Sequence, residues 1–198
     1  VRRARGEGGF SLVEAALVLT LLGLAVTVAA PLCTAALSRA RVTTAAAEMG
    51  QTFARLRAEA IASRRRVGLR FHTAAGRTSF TVYADGDGDG IRADDIASGT
   101  DPVIEGERDL RSRYEGIDFG MLEQAIPDVP PQSGSLPPGS DPIRFGSADT
   151  VTFTPSGTAS TGTLFISDGR DTVIAVVLYG RTGRIRTWRL DRSVEQWR

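Results

Sequence analysis

One cysteine and one histidine in 198 residues remove whole classes of chemistry from consideration. Cys33 has no partner for an intrachain disulfide, so cysteine usage leaves the redox compartment open. No CxxC, P-loop, HExxH or GxSxG spacing occurs, and the lone His72 reads as a strand residue rather than a member of a triad. An anchored enzyme would need paired carboxylates that no spacing singles out, so the expectation is a protein that is not an enzyme. Charge of one sign is missing too: 24 basic residues stand against 23 acidic ones, a formal net charge of +1. Arg2, Arg3 and Arg5 sit in the first nine residues with Glu7. Without those nine the chain holds 21 basic and 22 acidic residues (three and one removed from 24 and 23). Overall charge therefore does not announce a nucleic-acid binder, and any such reading must rest on local clustering. No internal repeat is evident.

What is present begins with a long apolar run. From Phe10 to Cys33 there are 24 residues with no charge except Glu14 and no strong helix breaker before Pro31. At about 1.5 Å per residue this run spans a hydrocarbon core of roughly 30 Å. A cleaved secretory signal has a shorter apolar region, about 7 to 15 residues. Pro31 and Leu32 before Cys33 are not the small residues of a lipoprotein site. The reading is a single-pass signal anchor with residues 1–9 held in the cytoplasm, though Arg39 and Arg41 on the far side weaken the charge asymmetry. A carboxylate in such a helix costs about 2.5 to 3.5 kcal/mol at mid-membrane and less near an interface, so Glu14 calls for a partner.

After the membrane run, Val42, Ala46, Met49, Phe53, Leu56 and Ala60 follow spacings of four and three and share one helix face. Arg41, Glu48, Arg55, Glu59 and Arg66 share another. From Phe10 to about Arg65 the helix would be on the order of 80 to 85 Å long, with Pro31 as a point of kinking or loosening. From Val67 the period becomes alternating. "VGLRFH", "TSFTVYA", "IDFG", "IRFG", "TVTFTP", "GTLFIS", "TVIAVVLYG" and "RIRTWRL" read as strands, and "ISDGRDTVI" and "LYGRTGRIR" as hairpins. The fold class expected is α+β: a long N-terminal helix, half in the membrane and half amphipathic, packed on an antiparallel sheet module. The divisions are 1–9 leader, 10–36 transmembrane helix, 37–66 amphipathic helix and 67–198 β-rich domain. Ile126 to Pro142, with six prolines, reads as a long extended connection inside that domain.

Two clusters suggest ligands. Asp85, Asp87 and Asp89 with Gly90 match the opening of a calcium loop, where alternate oxygens converge on a hard cation. The twelfth position, where a bidentate acid would close it, is Ile96, with Asp94 and Asp95 one or two places early. Weak calcium binding and a solvated acidic tip both remain open, and no other cofactor is expected. At the C-terminal end, Arg184, Arg186 and Trp188 fall on one face of a strand, where two guanidiniums and an indole could hold phosphates and stack on a base. The alternative is a solvated strand whose arginines guard a sheet edge and whose tryptophan fills the sheet core.

The leader ending in Gly9, followed by Phe10, Ser11, Leu12, Val13 and Glu14 and then about twenty apolar residues, resembles the class III signal of type IV pilins and type II secretion pseudopilins. That resemblance implies cleavage between Gly9 and Phe10 by a prepilin peptidase, N-methylation of Phe10, and pairing of Glu14 with the amino terminus of a neighbouring subunit during filament assembly. "RLRAEAIASRRRVGLRF" and the closing "GRTGRIRTWRL" resemble the GspH/FimT group of minor pilins. The group implies a minor pseudopilin, H-like, in the periplasmic pseudopilus of a type II protein secretion system, anchored in the cell inner membrane with its C-terminal domain periplasmic. Its partners would be other pilins or pseudopilins. The alternative within the group is a FimT-like type IV minor pilin that binds DNA for natural transformation through a Gly-Arg-x-Arg motif, which Gly183, Arg184, Ile185 and Arg186 match.

Overall fold

The computed structural model describes residues 11–198. Helix α1 (Leu12–Ser63) starts where the Ser11 hydroxyl accepts the Val13 N–H at 3.2 Å, a capping contact, and runs on through Pro31. Along its first part the apolar side chains are exposed, and an 18-residue window there has a mean hydropathy of 2.3 with none of it buried. This is one helix long and apolar enough to cross a membrane. Its threonines turn inward on themselves: Thr20, Thr27 and Thr34 donate to the carbonyls of Ala16, Leu24 and Pro31 at 2.8 to 2.9 Å. Such back-bonding satisfies these hydroxyls without water, as a membrane span would require.

The chain divides into two compact units, the second being Ser38–Arg198. In it α1 buries the stripe read from its spacing: Val42, Ala46, Met49, Phe53, Leu56 and Ala60 are all buried, joined by Ala45 and Thr52. The helix ends at Arg64, whose φ of +54° is left-handed and breaks the ladder before the first strand. Strands β1 (Val67–Ala74) and β2 (Arg77–Ala84) form a hairpin through Ala75 and Gly76, both at positive φ as a two-residue turn requires. After α2 (Ala93–Ser98), β3 (Val103–Asp109) pairs with β2. Four two-residue strands follow: β4 (Asp118–Phe119), β5 (Ile126–Pro127), β6 (Ser135–Leu136) and β7 (Ile143–Arg144). Then come β8 (Thr150–Phe153), β9 (Gly162–Ser167), β10 (Val173–Tyr179), β11 (Arg184–Asp191) and β12 (Gln196–Trp197). One antiparallel sheet has the order β3-β2-β1-β8; the other runs β12-β11-β10-β9-β4, with β7 also on β9, and β5 pairs with β6.

The helix stripe and the inner faces of both sheets make one core, with Phe71 and Phe119 edge to face at 5.3 Å and Phe53 and Phe145 at 6.1 Å. Burial of each such ring contributes about 1.5 to 3 kcal/mol. A second core lies on the outer face of the β9-β10-β11 sheet. There Phe165, Val173, Ala175 and Val177 are covered by Leu122, Ile126, Val129 and Leu136, and Trp197 closes one end by donating its Nε1–H to the Pro127 carbonyl at 2.9 Å. The proline-rich passage, expected as an extended connection, is thus a cover. Strand β10, "VIAVVLY", is apolar on both faces, and a strand buried on both faces needs a layer on each side.

The polar helix face is also less free than its sequence implied. Glu48 accepts from Arg108 (2.8 Å), Arg113 and the Tyr114 hydroxyl (2.7 Å), while Arg55 pairs with Glu105 and Arg66 with Asp85. That face is therefore latched to β3 and the loop after it, whereas Arg66, expected on the same helix face, lies beyond the helix end at Ser63 and ties the entry of β1 to the acidic loop.

Candidate functional site

The β10-β11 hairpin presents the basic cluster. Its turn, Gly180 to Gly183, is held by Gly180 N–H to the Thr161 hydroxyl (3.1 Å) and by Ala159 N–H to the Gly180 carbonyl (2.8 Å). Gly183 has φ +59°, and a Cβ there would lie 2.3 Å from the Gly157 carbonyl oxygen and 2.5 Å from Arg57 Nε. Arg57 Nε–H in turn donates to that same carbonyl at 2.8 Å. The glycine of the Gly-Arg-x-Arg stretch is there because its φ is left-handed and because the Gly157 carbonyl, with Arg57 bonded to it, fills the space a Cβ would need.

Beyond the turn the strand period sorts the side chains. Ile185 packs against the helix-side core, while Arg184, Arg186 and Trp188 point outward, as read from the spacing. They line a cleft of about 940 Å³ with Tyr179, Arg181 and, on the opposite wall, Pro130 and Pro131. The Arg186 guanidinium carbon lies 3.7 Å from the centroid of the Trp188 ring, a cation–π stack. Trp188 packs at the margin of the second core instead of filling it, and its Nε1 is buried with no partner among the described residues. Arg181, Arg184 and Arg186 pair with no carboxylate among the described residues, whereas nearby Arg192 and Arg198 pair with Asp171 and Asp191. The chain contains no lysine, so every basic group is a guanidinium, the cation that stacks and forks onto planar anions. Unpaired guanidiniums beside aromatic walls suit an anion that also offers a flat apolar face.

In the acidic loop the structure brings Asp85, Asp87 and Asp89 together, one oxygen of each within 4.8 Å of the others. Asp94 and Asp95 lie outside that group, in the first turn of α2. Asp85 is buried and already engaged: Oδ1 accepts Gly88 N–H at 2.7 Å, Oδ2 accepts Gly90 N–H at 3.1 Å, and Arg66 lies 3.4 Å away. Asp89 pairs with Arg92. Asp101, which no motif marked, is the second organiser of this loop, buried and accepting the N–H groups of Gly86 (3.0 Å) and Arg92 (3.1 Å). A cation at the three acids would have to share Asp85 with those donors. Glu14 is exposed in the first turn of α1, and Gly9 and Phe10 lie outside the described residues. His72 is an exposed residue of β1.

Sequence spacing missed Asp168, in the turn between β9 and β10. Its Oδ1 accepts the N–H groups of Arg170, Asp171 and Thr172 at 2.9 to 3.0 Å, and its Oδ2 accepts the Ser38 hydroxyl at 2.7 Å. Burial alone would raise this carboxyl, but the bonds from Thr172, Ser38, Arg170 and Asp171 together hold it below its ordinary value. Ser38 and Asp168 are 130 residues apart, so no local signal could have joined them.

A helix that begins as an apolar run and continues as the spine of an antiparallel α+β unit defines the pilin-like class. Within that class the family model described as Type II transport protein GspH matches residues 45–183, more than two thirds of the chain, and the chain belongs to that family. No curated protein and no solved structure matches it. The family match ends at Gly183, so the strand carrying Arg184, Arg186 and Trp188 lies outside it.

Proposed function

We propose that this chain is a minor pseudopilin, a structural subunit that a prepilin peptidase trims before Phe10 and that enters the periplasmic pseudopilus of a type II secretion system through its helix. The observation that carries the reading is the family match over residues 45–183, joined to an apolar run that starts at Phe10 and carries one carboxylate, Glu14. A neighbour's ammonium beside Glu14 would keep the carboxylate ionised in low dielectric, which an apolar residue could not do. Intact-mass measurement on protein extracted from membranes with an active prepilin peptidase tests it: the expected chain begins at Phe10 and carries one added methyl group. Retention of residues 1–9 would refute the reading.

The cleft beside β11 favours a second reading, DNA binding as in FimT-like minor pilins. Its support is the set of unpaired arginines around a stacked Trp188. Replacing Arg184 and Arg186 together with Gln should weaken DNA binding by a similar factor for all sequences, since interactions with the phosphate backbone carry no base information. The salt dependence should flatten by about 0.9 log units per log salt for each duplex phosphate that the variant no longer neutralises, or about 0.7 on a single strand. Gel shifts at several salt concentrations measure both. An unchanged slope would leave secretion as the function.

A further inference from the structure

Strand β11 is paired along only part of its outer edge. Strand β12 covers Leu190 and Asp191, and Arg189 exchanges both backbone bonds with Arg198, at 2.8 and 2.9 Å. Those bonds establish that the N–H and C=O of Arg189 point away from β10. Backbone direction repeats every two residues in a strand, so the N–H and C=O of Thr187 and Ile185 point the same way. None of these four groups has a hydrogen-bond partner among the described residues.

An open edge is ordinarily blunted by charge, proline or a bulge. Here the two residues that carry the free bonds are uncharged and β-branched, and the neighbouring Arg186 turns to the other face of the sheet, into the cleft with Trp188, while Arg184, beside the turn, borders both that cleft and the helix-side groove. The free edge runs along a groove of about 750 Å³ whose far wall is α1. Ala47, Gly50, Ala54 and Ala58 on that wall are short enough for another backbone to come close, with Gln51, Arg57 and Ile61 beside them. The groove lining includes two arginines, Arg57 and Arg184, and no acid.

We propose that this groove receives an extended segment of a different subunit of the same filament, added as a strand to β11 and carrying a carboxylate toward Arg57 and Arg184. A helix could not serve, because its own backbone groups are already satisfied, whereas a strand supplies the alternating N–H and C=O that Ile185 and Thr187 lack. This inference rests on the pseudopilin reading and adds to it an interface outside the apolar helix.

The test uses the full-length chain in detergent micelles, mixed in turn with each of the other pilin-like subunits of its secretion system. Amide hydrogen exchange at Ile185 and Thr187 should slow by about tenfold or more with one of them, while Arg186 and Trp188, facing β10, stay as they were. Thr187→Pro removes an outward N–H without breaking a bond to β10, and Ala54→Trp fills the groove without touching the edge. Each should abolish the slowing, so a folding defect in either variant leaves the other to decide. Should the chain enter filaments with these subunits while the two amides exchange as fast as in the chain alone, the inference falls and the pseudopilin reading stands. Slowing that requires only more of the same chain would also overturn it, making the edge an interface between identical copies. A chain that enters no filament would take down both.

Discussion

Asp168 gathers four donors from two distant parts of the chain, and its charge is what they hold in place. Its carboxyl titrates below its ordinary value in the folded protein, so it contributes stability that is present above the unfolded value, about 3.9, and is lost as pH falls through the lower folded value. Asp168→Asn keeps the shape and removes the charge. We expect the variant to melt below wild type at pH 7 and the gap to close in acid, measured as melting temperature from about pH 7 down to about pH 2.5. A gap that stayed constant across that range would mean the side chain acts through shape alone. Glu48 works by the same logic on a different scaffold, one carboxylate satisfying two guanidiniums and a phenol; its hydrogen bond to Tyr114, then burial, raises the phenol above its usual range. Both carboxylates tie α1 to the sheets, Glu48 from the helix to Arg108, Arg113 and Tyr114, and Asp168 from its turn to Ser38, so another rotation of α1 would break these bonds.

At the scale of elements, the β10-β11 hairpin carries most of what is distinctive. Its arginines are legible as a motif, but the reason for its glycine is tertiary: the Gly157 carbonyl, with Arg57 of the helix bonded to it, occupies the space a Cβ would need. Gly183→Ala combines a left-handed φ with that overlap and should cost about 2 kcal/mol or more, lowering the melting temperature by roughly 4 to 8 °C. Thermal melts followed by circular dichroism would measure it. A neutral result would mean that the turn and the Gly157 carbonyl opposite it can shift apart at no cost. Loss of DNA binding in this variant would not implicate the glycine directly, since the same change displaces Arg184. The proline-rich passage is the other decisive element. Its Ile126, Val129 and Leu136, with Leu122 just ahead of it, turn a one-sided sheet into a two-sided one, and its Pro130 and Pro131 line the cleft with Arg186.

For the whole molecule, the helix has two solvents. Residues 12–37 expose Leu, Val and Ala as a membrane span would, whereas from Ser38 onward the same helix supplies the central stripe of a protein core. On the pseudopilin reading proposed above, Glu14 lies in the membrane part, where an unpaired carboxylate is costly. Glu14→Ala should therefore insert at least as well as wild type and fold identically in residues 38–198, while its incorporation into filaments falls. Counting the variant in sheared filaments against the membrane fraction would show this. Equal incorporation would remove Glu14 from the assembly interface.

The period of the helix stripe from Val42 to Ala60, the apolar run from Phe10, and eight strand segments from Val67 to Leu190 were all written locally, in spacings of 3.6 and 2 that any chain with those side chains must obey. So was the outward alignment of Arg184, Arg186 and Trp188. Strand β3 escaped because "VIEGERD" is mostly exposed and charged, holding its place by pairing with β2 and by Arg108 and Glu105. The two-residue strands β5, β6 and β12 escaped because they exist only as partners of something distant. Which sheet faces were covered, which carboxylates were latched, why Gly183 has no side chain and which backbone groups of β11 were left open are relations between residues tens to more than a hundred positions apart. Local pattern determines which face of an element is apolar. Only the closing of the chain on itself decides what that face, or that edge, will meet.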